Sequence, residues 1–169
     1  MTFSRRQFIH AGLAGGVLLT VSGWCNQPFA AAPRSLSDGE REMLSAVATV
    51  LLAGALPADP VLRQKLVGRT VDGIAAAVSS LSLATQKEIG ELFGLLVLAP
   101  GRLLIAGLGK SWRDAAAADV AGFLEGWRGS RFGLLQSGYA ALHDLTFAAW
   151  YAHPDSWERI GYPGPPEVF

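Results

Sequence analysis

The chain has 169 residues, of which 50% are hydrophobic and 17% charged, a composition typical of a folded domain and incompatible with general disorder. Fourteen basic and fourteen acidic side chains cancel, which argues against a nucleic-acid partner, because such a partner requires a surplus of positive charge. A single cysteine, Cys25, excludes internal disulfides, thiolate zinc sites, cysteine-ligated iron–sulfur clusters and covalent attachment of a c-type haem.

The N-terminus has the layout of an export signal, with a basic segment followed by an apolar stretch over residues 11–24. The basic segment matches the twin-arginine pattern S/T-R-R-x-F-L-K, with an isoleucine in place of the leucine. We therefore expect residues 1–32 to be a signal peptide that is read by the twin-arginine (Tat) translocase and directs the chain to the periplasm. The residues that carry this signal are Ser4, Arg5, Arg6, Phe8 and Ile9.

Cleavage of the signal is predicted between Ala30 and Ala32, and Cys25 would then leave with it. The apolar stretch is shorter than the roughly 20 residues that cross a bilayer comfortably, yet its retention as an uncleaved membrane anchor stays open. Twin-arginine export carries folded proteins. This chain therefore either folds around a cofactor before export or lends its signal to a partner.

The first two helices of the mature chain follow from local patterns. Ser37 and Glu40 form a capping box, which predicts a helix over about 38–54. Gly54 and Pro57 end this helix, and Pro60 begins the next. The second helix has one apolar face, made of Leu62, Leu66, Val67, Val71, Ile74 and Val78.

Two further capping patterns predict the middle helices. The pattern that begins at Thr85 predicts a third helix, which ends before Pro100. A similar pattern with an aspartate begins at Ser111 and predicts a fourth helix over about 112–127, with two tryptophans on its buried side.

The last long helix is predicted over about 131–151, and it is apolar on nearly every side. Such a helix lies at the centre of a bundle or is partly covered by another protein. A short helical turn is expected at 155–158, and three prolines in four residues then favour an extended tail. Strand signals are weak. The predicted fold is therefore all-α: an N-terminal signal helix, a small bundle of about five helices over 33–153, and a Pro-rich tail over 154–169.

His143, Asp144, His153 and Asp155 are the only cluster of histidines and carboxylates in the mature chain. A two-histidine metal site on a helix needs both histidines on one face. Ten residues apart, these two are rotated by about 80°, and Pro154 disturbs the second position. A metal site is therefore not expected.

A nucleophilic site could be assembled on paper from Ser137, His143 and Asp144, but the chain lacks a nucleophile elbow of the G-x-S-x-G kind. We therefore assign no catalytic residue, no metal ligand and no cofactor to this chain. The alternative is a stand-alone periplasmic enzyme or metal-binding protein that uses His143, Asp144 and His153.

Aromatic and proline residues are concentrated near the C-terminal end of the chain. Aromatic side chains and rigid extended segments are common anchors in protein interfaces. We therefore predict that a partner binds here, through Trp127, Trp150, Tyr151, Trp157, Tyr162, Pro163 and Pro165.

Three segments, residues 126–131, 149–154 and 157–165, resemble the gluconate 2-dehydrogenase subunit 3 type family. Members of this family are small subunits of membrane-associated flavin dehydrogenases. They are similar to this chain in their twin-arginine signal, their capped first helix, like 37–52 here, and their G-Y-P-G-P tail. The resemblance covers most of the chain and is strongest from 126 to 166.

The resemblance implies a large partner of the glucose-methanol-choline (GMC) type, which holds FAD and oxidises an alcohol or sugar, while a c-type cytochrome often takes the electrons. The small subunit supplies export, assembly and stability, and the complex associates with the membrane. Only Arg5 and Arg6 carry over from the family, as export determinants, because the family assigns no catalytic residue to this subunit. The segment Leu52–Pro60 is shorter than in many relatives, which leaves the substrate of the partner open.

Overall fold

A computed structural model describes residues 35–157 together with 162 and 163. This part of the chain is helical and contains no strand, which confirms the all-α prediction. The signal-peptide residues Ser4, Arg5, Arg6, Phe8 and Ile9, and Pro165 of the tail, lie outside the described residues.

The helices are numbered in chain order. In the described part of the chain, five have twelve or more residues, in agreement with the predicted bundle of about five helices. They are α1 (Asp38–Leu51), α2 (Pro60–Ser79), α3 (Leu83–Val97), α4 (Ala99–Leu104), α5 (Ala117–Arg128), α6 (Gly133–Tyr151) and α7 (Pro154–Trp157).

The predicted capping box at the start of α1 is confirmed. The hydroxyl of Ser37 accepts a hydrogen bond from the Glu40 backbone N–H, and the Glu40 carboxylate accepts one from the Ser37 backbone N–H at 2.9 Å. The helix ends at Leu51, three residues earlier than predicted, and the turn that follows places Gly54 at a φ of 90°. Such an angle favours glycine because it has no Cβ.

The start of α3 differs from the prediction. Ser82, not Thr85, is the N-cap residue, and its hydroxyl accepts a hydrogen bond from the Thr85 backbone N–H at 3.2 Å. At the other end, Leu98 ends α3 as predicted, but Pro100 lies in the first turn of α4. Proline is favoured there because the first N–H groups of a helix have no intrahelical partner. The chain therefore continues into the short helix α4, which the sequence analysis did not predict.

The predicted fourth helix begins five residues later than expected, at Ala117 of α5. Ser111 and Asp114 are hydrogen-bonded as the capping pattern implies, but they close an isolated turn. Trp112 lies in this turn, where it is buried and donates its indole N–H to the Leu96 carbonyl at 2.8 Å. The tryptophan therefore reaches the core from a loop, and its own hydrogen bond compensates for the loss of water.

The central position predicted for the last helix is confirmed in part. α6 packs against α1, α2 and α5, and its inward side buries Leu142, Leu145, Ala149 and Trp150. Its first turn and its last residue are exposed. The main core lies between the five long helices, and a smaller cluster surrounds Trp150 with Ala48, Leu52, Leu66 and Val67.

Candidate functional site

The most distinctive surface feature is a line of rings on α6. Tyr139, His143, Phe147 and Tyr151 are four residues apart, so they share one face of the helix. Consecutive ring centroids are 5.6, 4.6 and 5.9 Å apart. Three of the rings are half-buried, and Tyr151 is 46% exposed.

The line of rings continues beyond the end of α6. The indole N–H of Trp157 donates to the Tyr151 carbonyl at 2.8 Å, and the Tyr162 backbone N–H donates to the Trp157 carbonyl at 2.9 Å. The Trp157 and Tyr162 rings meet edge to face at 5.5 Å. We call the six residues Tyr139, His143, Phe147, Tyr151, Trp157 and Tyr162 the aromatic stripe.

Residues 154–157, which we assigned to the start of the tail, form the short helix α7, in agreement with the helical turn predicted at 155–158. α7 packs against the end of α6. Ser156 is buried, and its hydroxyl donates to the His153 carbonyl at 2.8 Å. Residues 154–157 are therefore attached to the helical domain, and they fix where the aromatic stripe leaves it.

Two of the predicted partner-binding residues lie in the core. Trp127 and Trp150 are each only 4% exposed. Trp127 packs edge to face on Phe123, with ring centroids 4.7 Å apart, and its indole N–H donates to the Ile105 carbonyl. Because both indoles stabilise the fold from inside, we remove them from the predicted binding surface. Tyr151, Tyr162 and Pro163 are exposed, and Trp157 is half-buried.

The two histidines of the alternative prediction lie at separate places. His143 Nδ1 is 2.9 Å from Asp144 Oδ1, and both side chains are about 40% exposed. His153 Nδ1 is 3.4 Å from Nη1 of Arg69. Since a guanidinium only donates hydrogen bonds, Nδ1 of His153 accepts this one. His143 is eight residues before the end of α6, which is about 12 Å along the helix, and His153 lies beyond that end.

No group of three or more histidine, cysteine or carboxylate side chains is placed to hold a metal ion within the described residues, which do not include the Asp155 side chain. Ser137 is six residues before His143 on α6, so the two are rotated by about 120° around the helix. The structure therefore brings His143 and Asp144 together, but it brings neither Ser137 nor His153 to them.

An open cleft of about 340 Å³ lies between α1 and the loop that precedes α5. An ion pair between Arg113 and Glu42, at 2.6 Å, lies on its wall. The Thr49 hydroxyl donates to the Ser45 carbonyl, and the indole N–H of Trp112 is also hydrogen-bonded. These polar groups already have partners inside the protein, so we assign no ligand to the cleft.

A second surface is apolar and was missed by the sequence analysis. It lies around α4 and the start of α6, and its six large side chains are between 36% and 81% exposed. We call this surface the apolar corner; it consists of Leu98, Leu103, Leu104, Ile105, Phe132 and Leu134. The signal that could have found it is the nearly uncharged run from Leu92 to Leu108, which contains one charged residue, Arg102.

Two close contacts hold the apolar corner in place. A Cβ on Gly101 would lie 1.9 Å from the Leu95 carbonyl oxygen, so the α4 backbone lies directly on α3. A Cβ on Gly138 would lie 2.4 Å from the Trp127 ring. Since the Trp127 indole also binds the Ile105 carbonyl, it joins the end of α4 to α6. Leu134 is one turn before Gly138 on the same side of α6.

Comparison with models of protein families, with curated proteins and with solved structures finds no match to this chain. In the described part of the chain, every helix is too short or too polar to cross a membrane. The family resemblance therefore rests on the sequence segments quoted above.

Proposed function

We propose that this chain is a non-catalytic small subunit of a periplasmic, membrane-associated, FAD-dependent dehydrogenase of the GMC type, which oxidises an alcohol or a sugar. In this proposal, the twin-arginine signal of the small subunit exports the folded pair. The FAD belongs to the large subunit, and a c-type cytochrome subunit can take the electrons.

The observation that carries the proposal is the aromatic stripe. Tyrosine and tryptophan are enriched at the energetic centres of protein interfaces, because they bury a large area at a small cost in conformational entropy. The rings of the stripe contact one another, so their positions are already restricted before a partner binds. A restricted surface loses less entropy on association.

The segment with the strongest family resemblance coincides with this surface. Tyr162 and Pro163 belong to the G-Y-P-G-P sequence, and the Tyr162 ring contacts the Trp157 ring at the end of the stripe. We therefore propose that the large subunit contacts the stripe from Tyr151 onwards and that the tail extends this contact along its surface.

The test is purification of a C-terminally tagged chain from the periplasm of its native host, with an absorption spectrum and mass identification of the proteins that accompany it. We expect a yellow complex that contains a larger flavoprotein. Deletion of residues 157–169 should release the flavoprotein, whereas the exposed substitution Leu83→Ser, on another helix, should not. A colourless monomer from the parent chain would contradict the proposal.

Export is tested separately with the double substitution Arg5→Lys and Arg6→Lys. Because the twin-arginine translocase reads the paired arginines, we expect both the small chain and its flavoprotein partner to disappear from the periplasm. A flavoprotein that still reaches the periplasm would show that this chain does not carry it. The total level of the two proteins in whole cells, which should not change, is the control for expression.

A further inference from the structure

The apolar corner differs from the scattered hydrophobic residues found on most protein surfaces. Leu104 is 81% exposed and Leu134 is 76% exposed, and both belong to the region that Trp127 holds together. Leu98, Leu103, Leu104 and Ile105 lie within eight residues of one another, and the Trp127 indole joins Ile105 to α6. Exposed apolar side chains grouped in this way mark a site of contact with a protein or a membrane.

Basic residues lie close in the chain to the side chains of the apolar corner. Residues 92–113 and 126–143 contain no aspartate or glutamate, while Arg102, Lys110 and Arg131 lie within them. The Arg131 guanidinium is 5.0 Å from the Phe132 ring centroid, so a positive charge lies directly beside an exposed aromatic ring. Arg128 has an acidic partner: the hydrogen-bonded Glu125 carboxylate raises its pKa above the ordinary value. Arg131 therefore lies beside the apolar side chains, and we call it, together with Arg102 and Lys110 nearby in the chain, the basic rim.

Three carbonyl groups at the end of α4 accept hydrogen bonds within the protein. The Gly101 carbonyl accepts from the Ile105 N–H at 2.9 Å, and the Arg102 carbonyl accepts from the Leu108 N–H at 3.0 Å. The Ile105 carbonyl accepts from the Trp127 indole at 3.2 Å. Paired backbone groups are what an apolar environment requires, since no water is available there to replace a missing partner.

We propose that the apolar corner inserts into the interfacial layer of an anionic phospholipid membrane, with its leucines among the acyl chains and Lys110 and Arg131 at the headgroups. Apolar side chains combined with a basic rim are the recognition chemistry of such a surface. A protein partner is less favoured here. Five of the six side chains are aliphatic and only Phe132 is aromatic, whereas the centres of protein interfaces are rich in tyrosine and tryptophan.

This membrane contact is tested with probes at defined positions in the full chain. In a Cys25→Ser background, a single environment-sensitive fluorophore is attached through Leu104→Cys or, as the matched control, through Leu83→Cys. Both positions are more than 80% exposed, but Leu83 lies at the start of α3, outside the apolar corner. The probes are titrated with phosphatidylglycerol–phosphatidylethanolamine vesicles and with phosphatidylcholine vesicles.

We expect a blue shift of the probe at position 104 on phosphatidylglycerol vesicles, and none at position 83. The pair Lys110→Glu and Arg131→Glu should weaken this binding at least about tenfold, since each basic residue near an anionic surface contributes roughly 1 kcal/mol. Vesicle binding without a shift at position 104 would assign the contact to another segment, such as residues 11–24, and would overturn the proposal. An equal shift on phosphatidylcholine would also overturn it. So would a shift that grows with protein concentration in the absence of vesicles, which would indicate a second copy of the chain.

Discussion

The aromatic stripe and the apolar corner are both exposed and both hydrophobic, but they are built differently. The rings of the stripe contact one another over more than three turns of α6 and continue to Trp157 and Tyr162. The side chains of the corner are aliphatic except for Phe132, and Arg131 lies beside the Phe132 ring. A surface of rings that contact one another suits a partner of defined shape, whereas exposed aliphatic side chains beside basic residues suit a fluid membrane surface. The chemistry of an exposed patch is therefore more informative than its hydrophobicity.

The largest expected effect is loss of the flavoprotein on substitution of the stripe. Tyr151→Ala combined with Trp157→Ala removes two interface rings and the hydrogen bond that the Trp157 indole donates to the backbone carbonyl of residue 151, so we expect partner binding to weaken by about 4 kcal/mol. The measurement is the amount of FAD that copurifies per chain. Leu103→Ser, in the apolar corner, is the matched control and should retain the FAD. Full retention of FAD by the double variant would show that the stripe does not bind the flavoprotein.

The next effect concerns the contact that supports the apolar corner. Gly138→Ala places a methyl group against the Trp127 ring, and we expect it to destabilise the fold by about 1–3 kcal/mol in urea unfolding. Gly122→Ala on α5 is the control, because nothing lies within 4 Å of the added methyl group. Helix propensity should make this control more stable by about 0.5–1 kcal/mol. Equal stability of the two variants would show that the Trp127 ring moves away from the added methyl group without a cost in stability.

A smaller effect distinguishes the two surfaces directly. Leu103→Ser combined with Leu104→Ser should weaken binding to anionic vesicles by about 1–2 kcal/mol, or roughly tenfold, because apolar area no longer leaves water. Copurified FAD should not change. The measurement is vesicle cosedimentation, and Val61→Ser, which is also highly exposed, serves as the control. Loss of FAD together with vesicle binding would mean that both surfaces bind the same partner.

The smallest effect is expected at His143. His143→Ala removes a ring from the middle of the stripe and the part-exposed hydrogen bond with Asp144, so we expect a loss of stability of about 0.5–1 kcal/mol. His143→Phe keeps the ring contacts and should recover most of the stability that His143→Ala loses. Both variants should leave dehydrogenase activity of the complex unchanged. A large loss of activity in both would instead favour the alternative in which this chain has chemistry of its own.

Local patterns predicted most of the helices. Ser37 and Glu40 cap α1 because their hydrogen bonds form between residues three apart, which the sequence alone places. The start of α5 was misplaced because Ser111 and Asp114 form the same local hydrogen bonds without a helix behind them. α4 was missed because Pro100, taken as an end, is equally suited to a beginning.

The candidate site was predicted less completely. Tyr151, Trp157, Tyr162 and Pro163 were assigned to the binding surface from their composition and position, and the structure describes them at or near the surface. Trp150, next to Tyr151, was assigned with them and is buried. Neighbours in a helix are rotated by about 100°, so the direction of the core decides which of them faces solvent.

The all-α class and the approximate helix positions were determined by the sequence itself, because helical hydrogen bonds and the 3.6-residue period act between residues close in the chain. The tertiary structure alone decided which hydrophobic residues stay exposed. Trp127 is buried because Ile105 and Gly138, which belong to two other elements, meet its ring, while the similarly hydrophobic Leu134 in the first turn of α6 remains exposed. Burial depends on contacts between residues distant in sequence. These contacts decide which hydrophobic residues belong to the core and which remain available for binding.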